Sequence, residues 1–234
     1  YRLFGLEPGV FAATYPAFLE LVHPEDRAAV ETAYNASLQP GHAGYEIVFR
    51  IVRRSDGAVR YIHEQCQHRR NEAGAVIESF GTAQDVTERE LAAQALRRAA
   101  SVYEHANDAI VITDARGQII DVNAALCRLT GYAREELLGQ NPRFWSSGRH
   151  DAAFYREMWH ALHEHGLWRG EIWNQRKSGE VYPCLLTISP LRDASGRLQG
   201  YTGISTDLST LRAQERQVQR LSQYYALTGL PNRS

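Results

Sequence analysis

All four tryptophans of the chain, Trp145, Trp159, Trp168 and Trp173, fall within one window of 29 residues, and Asn174 follows the last of them directly. Flat aromatic faces beside an amide suit a planar ligand: the rings cover its faces and the amide reads its polar edge. The same aromatics equally suit the filling of a core. His160, His163 and His165 crowd the middle of the window. Three apart on a helix, His160 and His163 share a face that would permit a metal ion. No carboxylate completes a set with them, and the last turn of a helix favours histidine through its dipole. No metal site is expected. Cys66, Cys127 and Cys184 are too few and too scattered for a disulfide framework or a thiolate zinc site. His68 and Cys66 share one face of a strand by the period of two, and His63 falls on the other. The sequence shows no glycine-rich phosphate loop with a lysine and no nucleophile–base pair at a recognisable spacing. No catalytic residue is assigned, and the chain is not expected to be an enzyme in its own right.

The elements that position these residues follow from length and repetition. At 234 residues, 44% hydrophobic and 23% charged, the chain has the composition of an ordinary globular protein. Its length points to two modest domains. The formal net charge of −1 gives no electrostatic funnel toward nucleic acid, which is not expected as a partner. No apolar run approaches a membrane span, so a cytoplasmic protein is expected, with any membrane attachment through a segment outside this chain. One offset recurs: Gly57 to Gly179, Gly74 to Gly196, Gly81 to Gly203 and Asp85 to Asp207 are each 122 residues apart. The chain is therefore two copies of one module. Residues 107–126 have no counterpart ahead of Tyr1, so the first copy is expected to lack its opening strands.

Within the second copy, 109–114 and 118–123 read as a hairpin around Ala115-Arg116-Gly117. Residues 124–130, 134–138 and 151–165 read as helices closed by Gly131, Gly139 and Gly166. Strands follow over 167–176, 180–191 and 197–207, and the first copy repeats these three as 45–54, 58–69 and 75–85. The expected fold class is α+β: two domains, each an antiparallel sheet (five-stranded when complete) with flanking short helices. The boundaries are 1–90, a linker helix at 91–106, 107–208, a helix at 209–225 and a final segment at 226–234. Ala92, Leu96, Ala99, Tyr103 and Ala106 recur at helical steps of four and three, as do Leu211, Gln214, Val218, Leu221 and Tyr225. Such stripes suit a parallel dimeric coiled coil, or the packing of each helix on its own domain.

The ordered series Asn107-Asp108-Ala109-Ile110, residues 123–132, the hairpin 176–183 and Gly203-Ile204-Ser205-Thr206-Asp207 resembles a PAS domain. The first copy, with His-Pro-Glu-Asp at 23–26 and Gln84-Asp85-Val86-Thr87-Glu88-Arg89, is similar to a second PAS subtype. The resemblance implies a ligand pocket between sheet and helices, with Trp145, Trp159, Trp173, Asn174, Cys184 and Ser205 as its candidate residues. It also implies that Asp85 and Thr87, and Asp207 and Ser209, couple each sheet to its outgoing helix. Thr87 and Glu90 have the spacing of a capping box. Leu211, Val218 and Leu221 would carry the relay onward in a homodimer.

Gly139-Gln140-Asn141-Pro142-Arg143-Phe144 is similar to the segment that carries the reactive cysteine of LOV photoreceptors, but Pro142 occupies that place. Flavin–cysteine adduct chemistry is excluded, and Cys184 and Ser205 replace an Asn and a Gln of that family. Trp168-Arg169-Gly170 with Asn174-Gln175-Arg176-Lys177 resembles the redox-sensing PAS of nitrogen-fixation regulators, which implies FAD held non-covalently. Haem is the other cofactor reading, through His160, His163 or His165, and a ligand-free scaffold for dimerisation and protein contacts is the third. Ala226-Leu227-Thr228-Gly229-Leu230-Pro231-Asn232-Arg233 resembles the opening of a GGDEF domain. That resemblance implies the sensory part of a cyclic di-GMP signalling protein, a diguanylate cyclase with or without a phosphodiesterase domain.

Overall fold

The computed structural model describes residues 1–7, 9 and 14–223. The chain divides into two compact units, Tyr1–Arg98 and a second that begins at Ala99.

In the first unit α1 (Tyr15–Leu21) and α2 (Arg27–Ser37) precede β1 (Gly44–Val52), β2 (Val59–Arg70) and β3 (Val76–Asp85), and α3 (Thr87–His105) leads out. The strands form an antiparallel sheet in the order β1-β2-β3, with Phe49 opposite Ile62. Alternation puts Phe49, Ile51 and Ile62 on the face that buries Val22 and Val30 from the helical side. Asp26 ties the loop before α2 to β1: its carboxylate accepts from Arg50 N (2.8 Å), Nε (2.9 Å) and Nη2 (2.6 Å). Those bonds hold the Asp26 carboxyl below its ordinary range.

The second unit contains β4 (Ala109–Asp114), β5 (Ile119–Val122), α4 (Ala124–Thr130), α5 (Arg134–Leu137), a 3-10 turn at Pro142–Trp145 and α6 (Ala152–His165). The strands β6 (Trp168–Gln175), β7 (Val181–Arg192) and β8 (Leu198–Asp207) follow, and α7 (Ser209–Gln223) ends the described chain. Its antiparallel sheet has the order β5-β4-β8-β7-β6. Helices α4 and α6 end on Gly131 and Gly166 in the left-handed conformation, where a side chain would be strained. The fully buried Asn123 joins three elements. Its Oδ1 accepts from Leu126 N and Ile110 N, and its Nδ2 donates to Tyr103 O and Asp108 O, which fixes the start of α4 against β4 and the end of α3.

The two sheets share one pattern, but β4 and β5 have no counterpart among the described residues of the first unit. Helix α3 starts at Thr87, four residues ahead of the expected linker. The capping box expected of Thr87 and Glu90 is not formed, because Thr87 lies inside the first turn. The Asp85 carboxylate caps that turn by accepting from Thr87 N (2.9 Å). Among the described residues no helix is long and apolar enough to cross a membrane.

Candidate ligand cavity and sheet-to-helix junctions

A cavity of about 810 Å³ opens between the inner face of the second sheet and the segment 141–159. Alternation aims Ile172 and Asn174 of β6, Leu186 and Ile188 of β7, Gly203 and Ser205 of β8, and Val111 and Thr113 of β4 into it. Trp145, Tyr155, Met158 and Trp159 cover it from the other side. Trp145 is buried, while Trp159 stands at the opening, edge-on to Tyr201 with centroids 5.2 Å apart. The covering segment is pinned to β6 by Ser147 Oγ donating to Trp173 O (2.6 Å) and Trp173 N donating to His150 Nε2 (3.1 Å). Asn141 Nδ2 donates to Gly117 O (3.0 Å), so the β4–β5 turn closes one end.

Of the expected pocket residues, Trp145, Trp159, Asn174 and Ser205 meet at this cavity. Trp173 does not: next to Asn174 on an extended strand, it must point to the opposite face. There the Arg149 guanidinium lies over its ring, 4.2 Å from the centroid. Cys184 lies beneath the lining, packed with Ile172 and Tyr182, and Asn174 Nδ2 is 3.5 Å from its Sγ. Burial, against the opposing hydrogen bonds from Ser205 and Asn174, pushes the Cys184 thiol up to about 11, so it is protonated at neutral pH. His160, His163 and His165 are exposed on α6, and no histidine lines the cavity. Among the described residues no group of three or more His, Cys, Asp or Glu is placed to hold a metal.

The lining residues that the sequence reading did not single out include Thr113, Arg116, Arg143 and Arg156. Thr113 Oγ1 is buried without a hydrogen-bond partner. Arg116, Arg143 and Arg156 are exposed at the cavity and have no ion-pair partner among the described residues. No carboxylate lines the cavity. It is thus an apolar slot with amide and hydroxyl groups inside and uncompensated positive charge at its rim.

At the strand ends the relay residues are in contact. Burial pushes the Asp207 carboxyl up, but the hydrogen bonds from Ser209 and Arg176 outweigh it and hold the group below its ordinary range. Asp207 Oδ1 accepts from Ser209 N (2.8 Å) and Oδ2 from Arg176 Nη2 (2.8 Å). On α7, Leu211 and Val218 are 51% and 65% exposed, and Val218 lines a groove between α7 and the sheet. The Leu221 side chain, Tyr225 and Ala226–Arg233 lie outside the described residues.

Family comparison agrees with this architecture. The profile described as "PAS domain" matches residues 107–210, and that described as "PAS fold" matches residues 1–83. The chain carries two PAS domains. The match to the nitrogen fixation regulatory protein of Klebsiella oxytoca is 40% identical over 109 residues, 47% of this chain and 22% of that protein. Sensor protein FixL of Bradyrhizobium diazoefficiens is 28% identical over 218 residues, which cover 89% of this chain and 42% of FixL. A PAS domain of known structure from Colwellia psychrerythraea is 28% identical, with a TM-score of 0.47 over 50% of this chain and 98% of that one. The chain thus spans less than half the length of these curated relatives, and the second PAS domain is the one with the described cavity.

Proposed function

We propose that the chain is the sensory region of a signalling protein, and that its second PAS domain holds a flavin, FAD in the first instance. The observation that carries this reading is the pairing of an apolar slot with an uncompensated basic rim. A planar ring would lie against the inner face of the sheet, where its polar edge would satisfy Asn174, Ser205 and the orphaned Thr113 Oγ1. An anionic tail would lie against Arg116, Arg143 and Arg156. The match to a nitrogen fixation regulatory protein supports the reading. Haem is disfavoured, because the three candidate histidines face solvent and no histidine lines the cavity. A flavin supplies a ring edge whose hydrogen-bonding pattern differs between its oxidation states. The chain's own residues convert that difference into movement: Ser205 and Asp207 lie on the same strand, and Asp207 holds the first turn of α7.

Two copies would meet through Leu211, Val218 and Leu221, so that a small bias between two helix arrangements reaches an output domain. The resemblance of residues 226–233 to the start of a GGDEF domain makes a diguanylate cyclase the output we favour.

The test is a fluorescence titration with FAD and with riboflavin, which shares the ring and lacks phosphate. FAD should bind at least roughly tenfold more tightly, and Arg143→Ala with Arg156→Ala should remove most of that margin. Equal affinity for the two, or no binding of either, contradicts the assignment.

A further inference from the structure

The two sheet-to-helix junctions can be compared residue by residue, because the 122-residue offset holds in backbone register as well as in sequence. Ile62 pairs with Asp85 as Cys184 pairs with Asp207. Two links are common to both. The Asp85 carboxylate accepts from Thr87 N at 2.9 Å and Asp207 from Ser209 N at 2.8 Å. Val86 N donates to Tyr61 O at 2.9 Å and Leu208 N to Pro183 O at 3.0 Å.

Among the described residues, two further links in the first domain have no counterpart in the second, and both belong to Tyr61. Its backbone N–H donates to Thr87 Oγ1 (2.9 Å), and its hydroxyl accepts from Gln94 Nε2 (3.0 Å), two turns along α3. The residue equivalent to Tyr61 is Pro183, which has neither an N–H nor a hydroxyl. Ser209 Oγ, the counterpart of Thr87 Oγ1, is accordingly buried with no hydrogen-bond partner. Arg216, the counterpart of Gln94, turns back to donate to Arg212 O (3.1 Å) within its own helix. A groove of about 960 Å³ separates α7 from Trp173, Val181 and Pro183 on the outer side of the sheet. Arg212 of α7 also pairs with Glu171 (2.6 Å), with side chains 48% and 35% exposed. Such a pair is screened by solvent and contributes little.

We propose that Pro183 makes the second junction a hinge: α7 is released to pivot on Asp207, whereas α3 leaves the first sheet as a fixed extension of it. The orphaned Ser209 Oγ is the mark of the missing tie. A helix held by fewer bonds at its root needs less bias from the domain behind it to change direction. The hinge does not depend on which ligand the cavity takes.

Amide exchange measures the difference at matched positions. Arg212 N bonds to Leu208 O and Glu90 N to Val86 O, both at 2.9 Å, in equivalent first turns. After correction for intrinsic rates, Arg212 should exchange at least roughly fivefold faster than Glu90, the worth of one net hydrogen bond. Pro183→Ala restores the N–H and should slow Arg212 by a similar factor. Adding Ser209→Ala should abolish that gain, which a general effect of alanine on the strand would not do. If Pro183→Ala disturbs folding, Thr87→Val offers the reverse test and should speed Glu90 by a similar factor. Equal protection of the two amides in the unaltered chain, a Pro183→Ala gain that persists with Ser209→Ala, or an unaffected Glu90 in Thr87→Val would overturn the proposal.

Discussion

The Arg176 guanidinium donates to Asp207 Oδ2 at 2.8 Å while it lies over the Tyr182 ring, 4.2 Å from the centroid. The β6–β7 turn, the end of β8 and the first turn of α7 therefore share one charged group. Asp207 is the point at which a shift of the sheet becomes a shift of the helix.

Asp207→Ala should remove the cap on Ser209 N and leave Arg176 without this partner. Loss of such a cap costs about 1 kcal/mol. Denaturant unfolding should show a loss of that order, and circular dichroism should show reduced helicity. The pH dependence has a definite sign. Because the folded Asp207 carboxyl is held below its unfolded value, its contribution is present above about pH 4 and is lost as pH falls through the folded value. An Asp207→Ala variant should lack this component of acid sensitivity.

Glu64 should behave in the opposite sense. It lies inside the first domain, where Tyr45 Oη donates to its Oε1 (3.1 Å) and its Oε2 is buried without a partner. Burial raises its pKa, against the Tyr45 hydrogen bond. Its folded value thus exceeds its unfolded one, and stability is lost as pH rises from about 4 through the folded value. Glu64→Gln keeps an acceptor for Tyr45 and removes the charge. Denaturation midpoints at pH 5 and pH 8 should lie closer together in this variant, with the gain at pH 8.

Cys184 should resist alkylation. Its side chain is fully buried and its thiol is displaced to about 11, so almost no thiolate exists at neutral pH. Cys127 is partly exposed and should react first. Mass-spectrometric mapping after a short iodoacetamide pulse should find label on Cys127 before Cys184 or Cys66, which become labelled as the chain unfolds.

Asn123→Ala should be among the more damaging polar substitutions. It leaves Leu126 N, Ile110 N, Tyr103 O and Asp108 O without their side-chain partner. A loss of roughly 2–3 kcal/mol is expected from buried groups left unsatisfied, read as a shift of the denaturation midpoint.

The strands were legible in the sequence because Gly179 and Gly196 mark turns of β6, β7 and β8 and recur one repeat earlier as Gly57 and Gly74. Trp173 was misplaced because its neighbour Asn174 suggested a shared site, although period two sends adjacent strand residues to opposite faces. Thr113, Arg116, Arg143 and Arg156 were not legible, since β4, its turn, the segment before α6 and α6 itself converge only in the folded domain. Glu64 carried a usable signal: it alternates with Ile62 and Cys66, which places it on the inner face. Pro183 carried another, since the 122-residue offset sets it against Tyr61.

The most direct test of the central claim, that the second PAS domain holds a flavin, is the visible absorption spectrum of the freshly purified chain, taken before and after denaturation. The account predicts a yellow flavin band whose chromophore is released into the filtrate on unfolding, identified as FAD by chromatography. A colourless protein that takes up no FAD when reconstituted, or a Soret band in place of the flavin band, would contradict it.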